Sequence, residues 1–192
     1  LEISDYVSIT PSIIQQFYLK PEWGLKSWIS HIYYIPSKGN FFTKLGNYLH
    51  NKHGYNNMKR FFKTKVMDID NNEYIVVFEG TPDKINPLKE LKTCSRTDKN
   101  LKKKIEAATI QLYGYIWLTD SEDGTVVFID RKTEEIIDDI LVPRDDDTFF
   151  EYVHKFFDYV LSIKNLDNFN QNLFKSNQHQ KDTTKKEGEK NE

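Results

Sequence analysis

No stretch constrains the fold of this chain more than Tyr74 to Lys92, YIVVFEGTPDKINPLKELK. The apolar run Tyr74 to Phe78 reads as a strand leaving a core, and such a strand ordinarily ends in turn residues and solvent. Here Asp83, Glu90 and Lys92 return around a short turn with Asn86-Pro87 at its tip, so the stretch reads as a hairpin. Side chains alternate along a strand, which puts Glu90 and Lys92 on one face and points Leu91 the other way, into the core. Asp83, across the turn, can bring its carboxylate to the same place. Two carboxylates converging on a surface repel each other unless a cation stands between them. A hard divalent cation such as Mg²⁺ or Mn²⁺ suits oxygen ligands and keeps waters that can become nucleophiles. Lys92 could position such a water or neutralise charge building on a phosphoryl group. The competing reading is an exposed hairpin with ordinary cross-strand charge pairs.

Around this hairpin the pattern alternates between helix and strand. Thr10 as N-cap and Pro11 at the first helical position open a helix over 10–19, and a second is expected over Phe41 to Asn51. Strands are expected at Phe61 to Ile69 and Tyr74 to Phe78, separated by the turn DNN. Lys99 to Leu118 reads as a long helix, basic at first and apolar later. TVVFIDR and EEIIDDILV form a final strand pair around the turn KT, and DDTFFEYVHKFFDYVLSI a closing amphipathic helix. This order predicts an α/β fold with one mixed sheet flanked by helices. Residues 1–166 are expected to form a single domain, and the Asn-, Gln-, Lys- and Glu-rich stretch 167–192 a disordered tail.

At 192 residues the chain can bury a core without disulfide staples. Its one cysteine, Cys94, rules out an intrachain disulfide and any site built from several thiolates. No apolar run approaches the ~20 residues of a membrane span, and the expectation is a soluble cytoplasmic protein with no membrane partner. The net charge of −2 conceals an asymmetry. Trp23 to Val66 holds eight Lys or Arg and no Asp or Glu, with Trp28, Tyr33, Tyr34, Phe41, Phe42, Tyr48, Tyr55, Phe61 and Phe62 interleaved. Lys84 to Lys104 holds eight bases against two acids, whereas Asp120 to Glu151 holds twelve acids against three bases. One face could thus be basic, or the basic runs could be solvated surface.

Two further constellations bear on chemistry. Gly46 and His50 are four apart on the expected second helix, so they share a face and the small residue leaves space beside the imidazole. A lone helical histidine is more often packed or solvated than a ligand, and His53 is close enough to be confused with it. Gln111 and Tyr115 share one face of an otherwise apolar helix, where polar groups need partners. The simpler reading has both reaching solvent at a helix edge.

Taken together, Gly46-x-x-x-His50, Gly80-x-x-Asp83, Glu90-x-Lys92 and Gln111-x-x-x-Tyr115 resemble the RecB-like branch of the PD-(D/E)XK nuclease superfamily. The resemblance runs from Thr10 to about Val142, and SITPSIIQQFYLKPEWGLK is similar to the first helix of CRISPR-associated RecB-like nucleases. It implies a restriction-endonuclease-like core and Mg²⁺- or Mn²⁺-dependent cleavage of DNA. His50, Asp83 and Glu90 would then be side-chain metal ligands, the Leu91 carbonyl a further one, and Lys92 the catalytic lysine. Gln111 and Tyr115 would order the site and touch the DNA strand, with Lys84 and Arg96 as further DNA contacts. Those relatives carry a cysteine in the first motif and three near the C-terminus that hold an iron–sulfur cluster. Lys20 stands where the first is expected, so no iron–sulfur cluster is implied here. Small cluster-free nucleases of this kind occur in archaeal viruses and mobile elements.

The basic, aromatic segment fits single-stranded DNA or strand ends, since aromatics stack on unpaired bases and lysines follow phosphates. The alternatives are a structure-specific endonuclease of the Holliday-junction type and a catalytically inactive DNA-binding protein on the same fold. A homodimer is compatible with the sequence and required by no motif.

Overall fold

In the computed structural model, residues 6–35 and 41–163 are described. They form strand β1 (Tyr6–Ile9), helices α1 (Pro11–Leu19), α2 (Pro21–Ile32) and α3 (Phe41–Lys52), and strands β2 (Phe61–Ile69), β3 (Asn72–Gly80) and β4 (Lys89–Cys94). Helix α4 (Leu101–Thr119), strands β5 (Asp123–Asp130) and β6 (Ile136–Pro143) and helix α5 (Asp146–Ser162) complete them. The expected tail and the boundary at residue 166 lie outside the described residues. None of these helices is long and apolar enough to cross a membrane.

Helix α1 begins as its sequence dictates, with the Thr10 hydroxyl accepting the Ile13 N–H at 3.3 Å and Pro11 at the first position. It stops at Leu19 because Lys20 precedes a proline and is driven into extended backbone. Pro21 then starts α2, with Glu22 in its first turn. This second helix is absent from the sequence-based expectation, although Pro21 and Glu22 are its start signal.

The α/β class expected from the element order is the one observed. The strands, however, divide into two mixed three-stranded sheets, in the orders β1-β3-β2 and β4-β5-β6, instead of one. In the first, β3 pairs antiparallel with β2 and parallel with β1; in the second, β5 pairs parallel with β4 and antiparallel with β6. The expected hairpin before β4 shrinks to one bridge, where Lys84 and Lys89 exchange both backbone hydrogen bonds across the turn 85–88. Proline has no N–H to give to a ladder, and Thr81-Pro82-Asp83 leaves β3 as loop and carries Asp83 away from the first sheet.

The main core lies between helices α1, α2, α4 and α5 and both sheets, the second contributing Val126, Phe128 and Val142. Edge-to-face aromatic pairs join its layers: Phe78 meets Trp117 with ring centroids 5.1 Å apart and Phe149 at 5.9 Å, and Trp28 meets Phe156 at 5.7 Å. Helix α4 is basic and partly exposed in its first turns and buried beyond them through Ala107, Ala108, Ile110, Leu112, Ile116 and Leu118. A smaller cluster of Leu49, Leu91, Val127 and Ile129 sits on the other face of the second sheet, against α3. Leu91 therefore points into this satellite core, and its neighbours Glu90 and Lys92 take the opposite face, towards α4.

Gly114 marks the closest approach of three helices. A Cβ there would stand 2.6 Å from Phe149 Cε2 and 2.9 Å from Pro11 Cβ. Overpacking of this kind costs about 1–3 kcal/mol, more than the ~1 kcal/mol an alanine gains in helix propensity. Gly114→Ala is expected to lower the urea midpoint; an unchanged or raised midpoint would show that α1 and α5 can part without cost.

Candidate active site

The site assembles where the loop after β3 meets the start of β4 and the end of α3. Asp83 Oδ2 accepts the Leu91 N–H at 2.9 Å, which fixes the carboxylate against the start of β4. Its Oδ1 lies 3.2 Å from His50 Nδ1, on the last turn of α3. Glu90 is only 3% exposed. One of its oxygens accepts Lys92 Nζ at 2.9 Å, and the other faces the Asp83 N–H at 3.4 Å. His50, Asp83, Glu90, Leu91 and Lys92 are thus brought together from two elements and a loop.

Behind Glu90 stands α4. Gln111 and Tyr115 are 3% and 5% exposed, so the helix-edge reading with both in solvent is overturned. Gln111 Nε2 donates to the Tyr115 hydroxyl at 3.3 Å, and Gln111 Oε1 is buried with no partner. Buried this deeply, the pair can order Glu90 from behind; as placed, it offers no surface for a direct DNA contact. Gly80 is required by the same packing, since a Cβ on it would lie 2.6 Å from Tyr115 Cε1. Gly46 differs: its Cβ position meets only Thr93 Oγ1, at 3.9 Å, so the space expected on that face is open.

The remaining expectations divide. His53 turns away to Glu134, at 3.6 Å, which leaves His50 as the imidazole of this site. Lys84 bridges to Lys89 through its backbone, one residue from Asp83. Arg96 lies beyond the end of β4 and pairs with Glu135 at 2.9 Å, so its guanidinium is committed to the β6 side and not turned to the carboxylates. Other bases are similarly engaged. Lys52 pairs with Glu134 at 2.6 Å and Lys63 with Asp120. Acids of the stretch 120–151 thus neutralise part of the basic runs. Exposed aromatics do remain in the acid-free segment, with Tyr48 at 57% and Phe62 at 58%, and cations stand over both rings. The side chains of Phe41 and Phe42 lie outside the described residues.

A cleft of about 270 Å³ opens beside the site, lined by His50 and Lys92 together with Gln15, Thr93, Lys104 and Phe128. Gln15, Thr93 and Lys104 are absent from the sequence-based set because their spacing marks nothing; only α1, α4 and β4 meeting here brings them together.

Burial pushes the Glu90 carboxyl above the usual glutamate range; Lys92 opposes the rise and Asp83 adds to it. Burial likewise raises the Tyr115 hydroxyl, Glu90 reinforcing the effect, so the phenol stays protonated and available as a donor. As donors, two carboxylates and an imidazole suit a hard divalent cation. Among the described residues, no three His, Cys, Asp or Glu side chains stand grouped as a ready metal cage. His50 and Asp83 face each other, while Glu90 is turned to Lys92 and the Asp83 N–H.

No protein-family model matches the chain, and no curated protein matches it. Solved structures do. SSO0001 superposes with a TM-score of 0.50 at 20% identity, over 85% of this chain and 80% of that one. A phage-related exonuclease from Haemophilus somnus 129PT superposes with a TM-score of 0.50 at 16% identity, over 81% of this chain and 96% of its own. At these identities the likeness is one of fold: a mixed α/β, restriction-endonuclease-like core.

Because the native pKa of Glu90 lies above its unfolded value of about 4.3, the folded apoprotein holds this proton more tightly. The stability so contributed is fully present below pH ~4.3 and is lost as pH rises through the native pKa. Glu90→Gln stays neutral and escapes that loss. In EDTA, the stability of Glu90→Gln relative to the parent is expected to rise between pH 4 and pH 8, read from urea unfolding. A constant difference would mean that Lys92 fully compensates the buried carboxylate.

Proposed function

We propose that the chain is a divalent-metal-dependent DNA nuclease that hydrolyses phosphodiester bonds, acting on single strands or strand ends. The observation that carries this reading is the convergence of a buried Glu90, Asp83, His50 and Lys92 at one place beside an open cleft. Burial is the main cost of ionising Glu90, and the neighbouring Asp83 adds to it, so the pair calls for a cation. The fold of a phage-related exonuclease supports the same class of chemistry.

His50, Asp83 and Glu90 are the residues that would hold Mg²⁺ or Mn²⁺, with the Leu91 carbonyl next to them. Such an ion supplies Lewis-acid charge at a phosphoryl oxygen and an acidified water. The chain's own residues do the rest. The Leu91 N–H holds one oxygen of Asp83 at 2.9 Å and His50 Nδ1 faces the other at 3.2 Å, which together fix the carboxylate's orientation. Lys92, already within 2.9 Å of Glu90, keeps a positive charge where a scissile phosphate would gain negative charge. Gln111 and Tyr115 close the site from behind and exclude water from Glu90. The exposed rings of Tyr48 and Phe62, each beside a cation, favour unpaired bases.

Incubation with labelled single- and double-stranded DNA, with and without Mg²⁺ or Mn²⁺, tests the reading. The parent is expected to cleave only with metal, and Asp83→Ala and Glu90→Ala to lose cleavage while remaining folded. Lys92→Ala is expected to slow single-turnover cleavage about 10²–10³-fold with little change in DNA binding. Metal-dependent cleavage by Asp83→Ala at the parent rate would remove the site assignment; binding without cleavage by the parent would make the protein an inactive DNA binder.

His50 and His53 provide an internal comparison. His50→Ala is expected to need more metal for half-maximal cleavage and to recover partly at high Mn²⁺, which accepts imidazole more readily than Mg²⁺ does. His53→Ala should titrate like the parent, since that ring serves Glu134. An unchanged metal requirement in His50→Ala would leave its imidazole a structural partner of Asp83.

A further inference from the structure

The loop from α3 to β2 joins the two ligand-bearing segments through its own backbone and one side chain. At its near end the Tyr55 N–H donates to the His50 carbonyl at 2.8 Å. Two residues on, the Asn57 N–H donates to the Asp83 carbonyl at 3.0 Å, and Asn57 Nδ2 donates to the Pro82 carbonyl at 2.8 Å. The other end of the same amide is also committed, Oδ1 accepting the Lys59 N–H at 3.0 Å. Beyond it, Arg60 Nη2 pairs with Glu79 Oε2 at 2.6 Å and pins the loop to the end of β3. Pro82 and Asp83 lie in loop rather than strand, so ladder hydrogen bonds do not hold them. The Asp83 N–H finds only Glu90 at 3.4 Å, a long contact.

We propose that Asn57 is a positioning residue that sets the separation of His50 and Asp83, and through it the affinity of the site for a divalent cation. This rests on the reading of the site as a metal-dependent nuclease. The chemistry selects asparagine. The position needs a donor for Pro82 and an acceptor for Lys59 on one short side chain. Aspartate keeps the acceptor and loses the donor, alanine loses both, and glutamine adds a methylene that the 2.8 Å contact does not accommodate. The neighbouring Asn56 is exposed and makes no comparable bond among the described residues, so it is the matched control.

The test is Mn²⁺ binding to metal-free protein without DNA, by isothermal titration calorimetry, for the parent, Asn57→Ala, Asn57→Asp and Asn56→Ala, with the thermal midpoint of each. Residues that orient metal ligands typically change metal affinity about 10–100-fold, and a loss in that range is expected for Asn57→Ala. Asn56→Ala should bind as the parent does. Asn57→Asp separates position from charge. An added carboxylate near the ion would tighten binding by Coulomb attraction alone, whereas loss of the Pro82 contact should weaken it.

Parental or tighter binding by both Asn57→Ala and Asn57→Asp overturns the inference. So does an Asn57→Ala protein that melts earlier yet binds Mn²⁺ with parental affinity while folded, because the residue is then structural only. If the parent binds no Mn²⁺, or Asp83→Ala binds it as tightly as the parent does, the reading of the site falls and the inference with it. If the parent binds and Asp83→Ala does not, that reading stands whatever Asn57 does.

Discussion

Everything in this site follows from one costly burial, that of the Glu90 carboxylate at the start of β4. A carboxylate with 3% exposure has left water behind, and an unpaired charge there would be expelled or neutralised. The structure supplies partial compensation through Lys92 and the Asp83 N–H, and its carboxyl still sits above the usual range. The chain thus holds a half-satisfied acid beside a second acid and an imidazole. A cation of the right hardness would relieve both the repulsion and the desolvation.

The surrounding layers exist to hold that position. Leu91, between the two functional residues of β4, anchors the strand in the satellite core with Leu49 of the histidine-bearing helix. On the opposite side α4 presents Tyr115 against Gly80, so the end of β3 cannot move towards the site or away from it without disturbing a buried ring. The aromatic contacts of Phe78 with Trp117 and Phe149 lock the same strand to α4 and α5. Rigidity of this kind matters to phosphoryl chemistry, where small errors in placement cost rate.

Charge is arranged more economically than the linear sequence implies. Three acids of the stretch after α4 are paired: Asp120, Glu134 and Glu135 take Lys63, Lys52 and Arg96 as partners. Nearer the site, Lys92 and Lys104 line the cleft, and both are paired as well, with Glu90 and Asp98. Exposed ion pairs of this sort add little stability.

Local rules in the sequence determined the elements that they govern. Thr10-Pro11 begins α1, the alternation of Glu90, Leu91 and Lys92 assigns their faces, and the periodicity of α4 and α5 marks them as helices. Strand alternation brought Glu90 and Lys92 together, whereas His50 joined Asp83 only through the family resemblance that the ordered motifs carry, since helical spacing alone left it a packed or solvated residue. Helix α2 was legible in Pro21 and Glu22 but lay hidden behind a break that resembles a loop. Tertiary structure alone decided the rest. Whether the strands make one sheet or two depends on long-range pairing, and Thr81-Pro82-Asp83 leaves the ladder between β3 and β4. Whether Gln111 and Tyr115 meet solvent or Glu90 depends on what packs over α4. Asn57 could not be told from Asn56 until the chain brought Pro82 and Asp83 beside it, since a hydrogen bond between residues 25 apart in sequence leaves no local trace.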